Sequence, residues 1–217
     1  MGTMKRREFI GAAAGSIAAA SSGGIAHAQP AGSGDALPWD GEATNPLADT
    51  ASAHTSGPLR FNASIDDCEV VGQIPSDIDG AFIRVGGEFY YPPMFKDDAS
   101  LSSDGYVSMF RIKNGRVNFK GRFVETERLK KLREAGRQLY GYYRNPYTDD
   151  PSVKDLANPN RRTVANTAPV VHAGKLFALK EDGLPHRINP NTLETIGPGD
   201  FHGGWKGQTF TAHPKLD

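Results

Sequence analysis

The sequence predicts an all-β fold carrying one short helix. Three observations predict it. Asn114-Gly115 sits between two strand-like runs, four short apolar segments are separated by tight turns between residues 169 and 196, and 217 residues include 25 Gly and 15 Pro. Abundant Gly and Pro suit a chain made of many turns, and Asn-Gly between alternating apolar runs is the strongest short-range hairpin signal.

The first strand is expected at residues 81–85, an apolar run bounded by Gly80 and Gly86-Gly87. The hairpin should pair residues 106–113 with 116–126. In its second arm Val117, Phe119 and Phe123 alternate with Asn118, Lys120 and Arg122, the period of two of a half-buried strand. Residues 126–136 read as the helix: Thr126 caps it, Gly136 ends it, and Glu127/Lys131 and Lys130/Glu134 stand one turn apart. Leu129 and Leu132 make a narrow apolar stripe, so the helix is expected to lie on the surface. Residues 145–160, rich in Pro and Asp, read as a long loop.

Strands are then expected at 169–171, 175–180, 185–188 and 193–196. They are split by Ala173-Gly174, Asp182-Gly183 and Asn189-Pro190-Asn191. Four short strands in sequence form a meander, which is what a propeller blade is, though a barrel or a sandwich contains the same unit. A further strand is expected to start near Thr209.

Lys+Arg and Asp+Glu both total 25, so the net charge is zero. There is no basic surplus for nucleic acid and no acidic tail. Cys68 is the single cysteine, so the chain forms no internal disulfide. The histidines are His27, His54, His172, His186, His202 and His213. None pair at helical spacing, which removes the zinc-finger and His-Glu-x-x-His chelates. No glycine-rich loop links a strand to a helix, and Gly-x-Ser-x-Gly is absent.

The N-terminus reads as a twin-arginine export signal over residues 1–28. Lys5, Arg6 and Arg7 precede a weakly apolar Ala/Gly/Ser stretch, and Ala26-His27-Ala28 supplies the cleavage site. The stretch is too short and too poor in large side chains to be a transmembrane helix. Twin-arginine signals imply export, here to the periplasm. Cleavage removes three cations and one anion, leaving 22 against 24 and a net charge of −2. Residues 29–58, without apolar periodicity, should form a flexible arm.

Six segments in order resemble the carotenoid cleavage oxygenase family. They are residues 74–84 (IPSDIDGAFIR), Asp104-Gly105-Tyr106-Val107, Ala165-Asn166-Thr167, residues 178–185 (ALKEDGLP), Thr192-Leu193-Glu194-Thr195 and residues 210–215 (FTAHPK). Two places depart from the family's pattern: Arg84-Val85-Gly86-Gly87 stands where Arg-Asn-Gly-Pro is usual, and Ser103-Asp104-Gly105-Tyr106 where Gly-Asp-Gly-Met is usual.

The resemblance implies that residues 59–217 are about two blades of a seven-bladed β-propeller. Such a propeller holds one Fe(II) on its axis through four histidines from different blades. His213 matches the first ligand, and Glu181 a carboxylate that accepts the free ring N–H of a ligand histidine. Most carotenoid-cleaving members carry Trp before this Glu; here it is Lys180. Lys180, with Tyr147 in Asn-Pro-Tyr-Thr-Asp-Asp, resembles the branch that cleaves lignostilbenes.

In that branch the two residues are implied to bind the substrate's 4-hydroxyl and favour its deprotonation. O2 then cleaves the double bond to two aromatic aldehydes. The implied partners are O2 and a small hydrophobic aromatic or polyene substrate, with no nucleic acid and no transmembrane segment; the oligomeric state stays open. Two alternatives remain. An apocarotenoid cleaver is favoured if Lys180 faces solvent, and an inactive β-domain remnant is favoured by the lone ligand. Family members are about twice this length, so the chain is expected to be an N-terminal fragment, inactive by itself.

Overall fold

Four strands precede the helix: β1 (Ala63–Ile65), β2 (Gly80–Glu88), β3 (Asp104–Lys113) and β4 (Arg116–Phe123). They form one sheet in the order β1-β4-β3-β2. Asn114 and Gly115 join β3 to β4 and both take positive φ, 52° and 73°. A two-residue hairpin turn of type I′ requires that pair of left-handed residues. Val117, Phe119 and Phe123 are buried and Asn118 is exposed, as the alternation in β4 predicts. The computed structural model describes residues 58–217 except 96, 97, 99, 202, 216 and 217. The expected export signal at 1–28, and the arm at 29–58 apart from Pro58, lie outside the described residues.

Helix α1 (Glu127–Ala135) falls within the predicted span. Thr126 Oγ1 accepts the Leu129 N–H at 3.1 Å, and Gly136 closes the helix at φ 68° with its N–H donated to Arg133 O. Both caps satisfy backbone groups that a helix end leaves unpaired. Leu129 and Leu132 are fully buried, worth about 1.5–3 kcal/mol each. The helix is less superficial than its charge pattern suggests, because Arg128 is buried too. Its guanidinium faces the buried Asp104 carboxylate at 3.4 Å, donates to Ser102 O at 2.8 Å and lies over the Tyr140 ring at 4.8 Å. Burial pushes the Asp104 carboxyl up, against the pull of Arg128.

The second sheet is a meander of β5 (Ala168–His172), β6 (Lys175–Leu179), β7 (His186–Ile188) and β8 (Thr195–Pro198), each paired with the next. Ala168 stands opposite Leu179, Leu176 opposite Ile188, and His186 opposite Pro198. β8 begins two residues later than expected, because Leu193 takes φ 59° inside the turn. There Asn189 Oδ1 accepts the N–H groups of Asn191 and Thr192. The turn's own hydrogen bonds therefore outcompete strand pairing at Leu193. The strand expected near Thr209 does not form among the described residues. Phe210 N donates to Gly183 O at 3.1 Å, and one such bond is not a ladder.

The described residues fall into two units. In one, Ser64–Phe82 with Phe110–Phe119, Ile74, Ile112 and Val117 pack with Cys68 and Phe110. The other includes Ile83–Met109 and Lys120–Asp217. Its core joins Val85, Val107, Met109 and Val124 to Ala165, Leu176, Ala178, Ile188 and Leu193.

Within this larger unit, two of the segments that carried the family resemblance, those at residues 104–107 and 165–167, come together. Gly105 N donates to Val164 O at 2.8 Å, and Asn166 Nδ2 to Ser103 O at 2.8 Å. A Cβ on Gly105 would lie 2.4 Å from the carbonyl oxygens of Val164 and Ala165, so no other residue fits. The turn before β8 is tied in similarly: Lys120 Nζ and Arg122 Nε donate to the carbonyls of Asn191 and Thr192, and Glu125 N to Thr195 Oγ1. No helix among the described residues is long and apolar enough to cross a membrane.

Candidate active site around Lys180

β6 buries four consecutive residues, Leu176 to Leu179, so the strand delivers the next side chain into the interior. That side chain is Lys180, 1 % exposed. Its ammonium lies 4.5 Å from the centre of the Tyr143 ring and 4.0 Å from Glu181 Oε2. Burial pushes the Lys180 pKa down; Asp182 works against that, while Arg128 and Arg144 reinforce it. Desolvation disfavours the charged amine, so Lys180 gives up its proton more readily than a surface lysine.

Glu181 follows at the start of the turn, with its side chain 38 % exposed. The Tyr143 hydroxyl donates a hydrogen bond to Glu181 Oε1. Asp182 Oδ1 is buried with no hydrogen-bond partner among the described residues. Lys180, Glu181 and Tyr143 therefore form a single charged cluster at the end of β6.

The loop that carries Tyr143 is pinned from below. Asp149 and Arg162, both buried, form two parallel hydrogen bonds of 2.6 and 2.7 Å. Arg162 also donates to Tyr142 O at 3.1 Å, and Gly141 N to Asp149 Oδ1 at 3.0 Å. The Tyr142 ring stacks on Phe95 at 4.5 Å. Residues 141–149 are held as a compact turn although they contain no regular strand or α-helix.

Tyr147 sits at the tip of that turn, on a single 3-10 turn (Pro146–Thr148). It is 72 % exposed, with Lys154 Nζ 5.4 Å from its ring centre. His213 is exposed as well, its backbone N–H donated to Thr211 Oγ1 at 3.3 Å. The structure thus brings Lys180 and Glu181 together. Tyr147 and His213 share no hydrogen bond, ion pair or ring contact with them among the described residues.

Tyr143 is the member that sequence reasoning missed. Its one signal is position, in a tyrosine-rich run four residues before Tyr147. Among the described residues no group of three or more His, Cys, Asp or Glu side chains could hold a metal ion.

With this geometry in hand, comparison with known proteins is decisive about family. The family model described as retinal pigment epithelial membrane protein matches residues 57–217. The chain belongs to that family, the carotenoid oxygenases. It is 48 % identical over 165 residues to resveratrol cleavage oxygenase 1 of Chaetomium globosum, covering 76 % of this chain and 27 % of the relative. It is 47 % identical over 160 residues to lignostilbene-alpha,beta-dioxygenase isozyme III of Sphingomonas paucimobilis, covering 74 % of this chain and 32 % of the relative. Among solved structures, the lignostilbene dioxygenase of Pseudomonas brassicacearum matches with a TM-score of 0.68 at 44 % identity, over 74 % of this chain and 32 % of that one. The chain spans about a third of the length of the relatives it matches.

Proposed function

We propose that the chain is the N-terminal portion of a non-haem Fe(II) dioxygenase that cleaves the conjugated double bond of phenolic stilbenes with O2, giving two aromatic aldehydes. In this reading the two sheets are about two blades of a seven-bladed propeller. One observation carries the substrate assignment: Lys180 is buried, 1 % exposed, where a solvated lysine would have favoured an apocarotenoid substrate. The stilbene-cleaving names of relatives at 47 and 48 % identity support the same reading.

The chemistry follows from a lysine with lowered proton affinity. The neutral amine form of Lys180, which burial favours, takes the proton of the substrate's 4-hydroxyl, leaving an ammonium beside a phenolate. The pair attract strongly where water is excluded. Tyr147 donates a hydrogen bond to the same oxygen. The phenolate pushes electron density into the double bond, which makes it the better partner for O2.

His213 would supply one imidazole to the iron, a donor suited to Fe(II). One matching histidine in this chain fits a site that takes one ligand from each of several blades. Bound there, Fe(II) would supply the activation of O2. Glu181 would accept a ligand histidine's ring N–H and so fix that ring's direction. Tyr143 occupies its Oε1, which leaves Oε2 for that bond.

The twin-arginine signal supports export of the folded protein to the periplasm. The reading is tested by supplying the complete enzyme, loaded with Fe(II), with 4-hydroxystilbene and with an apocarotenoid. Aromatic aldehydes from the stilbene are expected; cleavage of the apocarotenoid alone contradicts the assignment.

A further inference from the structure

We infer that Tyr143 is a positioning residue of this site: its ring face holds the Lys180 ammonium and its hydroxyl holds Glu181, so one side chain governs both the lysine and the carboxylate. Only the catalytic consequence of this inference rests on the stilbene-cleaving reading; the two contacts do not.

The geometry is specific. At 4.5 Å from the ring centre, the ammonium lies inside the distance over which an aromatic face attracts a cation. The attraction is largest for a desolvated cation, and Lys180 is buried. The Tyr143 hydroxyl donates to a carboxylate, and a charge-assisted bond of that kind is among the stronger ones. Donating a proton toward an anion also enriches the ring in electrons. The two contacts therefore reinforce each other, as linked polar groups do in a low dielectric.

The other charges around Lys180 do not replace this role. Asp182 favours the ammonium, Arg128 and Arg144 oppose it, and Glu181 Oε2, at 4.0 Å, is beyond hydrogen-bond range. Against burial and two cations, the Tyr143 face acts beside Asp182 to hold the lysine's proton. The same side chain fixes which oxygen of Glu181 remains for a histidine.

The test reads the ammonium itself. The chain is labelled with 13C at lysine Cε, the Lys180 signal is assigned by its loss in Lys180→Arg, and its titration is followed by NMR. Replacing Tyr143 by pentafluorophenylalanine keeps the shape and reverses the polarity of the face. The Lys180 midpoint should fall by about half to one and a half pH units. Tyr143→Phe should lie between that variant and wild type, because it keeps a face but loses the bond to Glu181. An unchanged midpoint in the fluorinated variant overturns the inference, and so does a Phe variant that falls further than the fluorinated one.

In the complete enzyme, the pH midpoint of kcat/KM for 4-hydroxystilbene should move with the Lys180 midpoint. If the stilbene reading itself is wrong, that second readout loses its link to the 4-hydroxyl while the order of NMR midpoints stands. The two failures are thereby told apart.

Discussion

Arg162 grips Asp149 through two parallel hydrogen bonds, 2.6 and 2.7 Å long, with both side chains buried. This pair closes the turn that carries Tyr143 and Tyr147. Removing one partner leaves a buried charge with nothing opposite it, which costs about 3–5 kcal/mol. Asp149→Ala is therefore expected to destabilise by that amount in urea denaturation. Arg162→Lys should cost less, because it keeps the charge and loses only the fork of two bonds. Equal stability of Asp149→Ala and wild type would show that the turn does not depend on the pair.

The pH dependence of stability should show two opposed groups. Burial lowers the His186 pKa to about 4 from the ordinary value near 6.5. The unfolded chain binds that proton first, so His186 costs nothing above about pH 6.5. Its penalty grows as pH falls to about 4, reaching roughly 3 kcal/mol. Glu88 has the opposite sign. Burial raises its pKa to about 7, against the pull of Arg84, so the folded state binds its proton first and stability is lost as pH rises from about 4.5 to 7. His186→Phe should lose less stability than wild type on going from pH 7 to pH 4. Glu88→Gln should lose less than wild type on going from pH 4.5 to pH 7. Parallel stability curves for His186→Phe and wild type would contradict the histidine assignment.

The turn chemistry and the helix were legible in the sequence, because both depend on local rules. Asn114-Gly115, Thr126 and Gly136 satisfy backbone groups within a few residues of themselves, and each does so in the structure. Long-range pairings were not legible. Arg128 looks solvated on a charged helix, yet Asp104 and Tyr140, distant in sequence, make its burial tolerable. Tyr143 gave no signal beyond its place near Tyr147, for the same reason: its partners Lys180 and Glu181 lie 37 and 38 positions away. The start of β8 was missed because Leu193, a residue that usually avoids positive φ, adopts it within the Asn189 turn.

The proposed metal roles predict distinct losses in the complete enzyme. His213→Ala removes a ligand and should abolish stoichiometric iron, measured by metal analysis of purified protein. Glu181→Gln keeps the ligand but weakens its orientation, so iron affinity or activity should fall about 10–100-fold. Full iron content in His213→Ala would remove that residue from the site.

Export is tested separately from chemistry. Replacing Arg6 and Arg7 by Lys should leave the uncleaved precursor in the cytoplasm, seen by fractionation and immunoblot. Undiminished mature protein in the periplasm of that double variant would exclude the twin-arginine route.

The central claim is that Lys180 acts on an ionisable 4-hydroxyl. Lys180→Ala in the complete enzyme deletes the cation that faces a buried phenolate. Losing one member of such a pair costs about 2–5 kcal/mol, or at least tenfold in rate. Tyr147→Phe removes one neutral hydrogen bond, about 0.5–1.5 kcal/mol, and should have the smaller effect. The most direct measurement is kcat/KM of wild type, Lys180→Ala and Tyr147→Phe against 4-hydroxystilbene and its 4-methoxy analogue. The account predicts that the methoxy compound is slow with wild type and little slower with either variant. Equal turnover of the two compounds by wild type, or a Lys180→Ala loss of the same size on both, would contradict it.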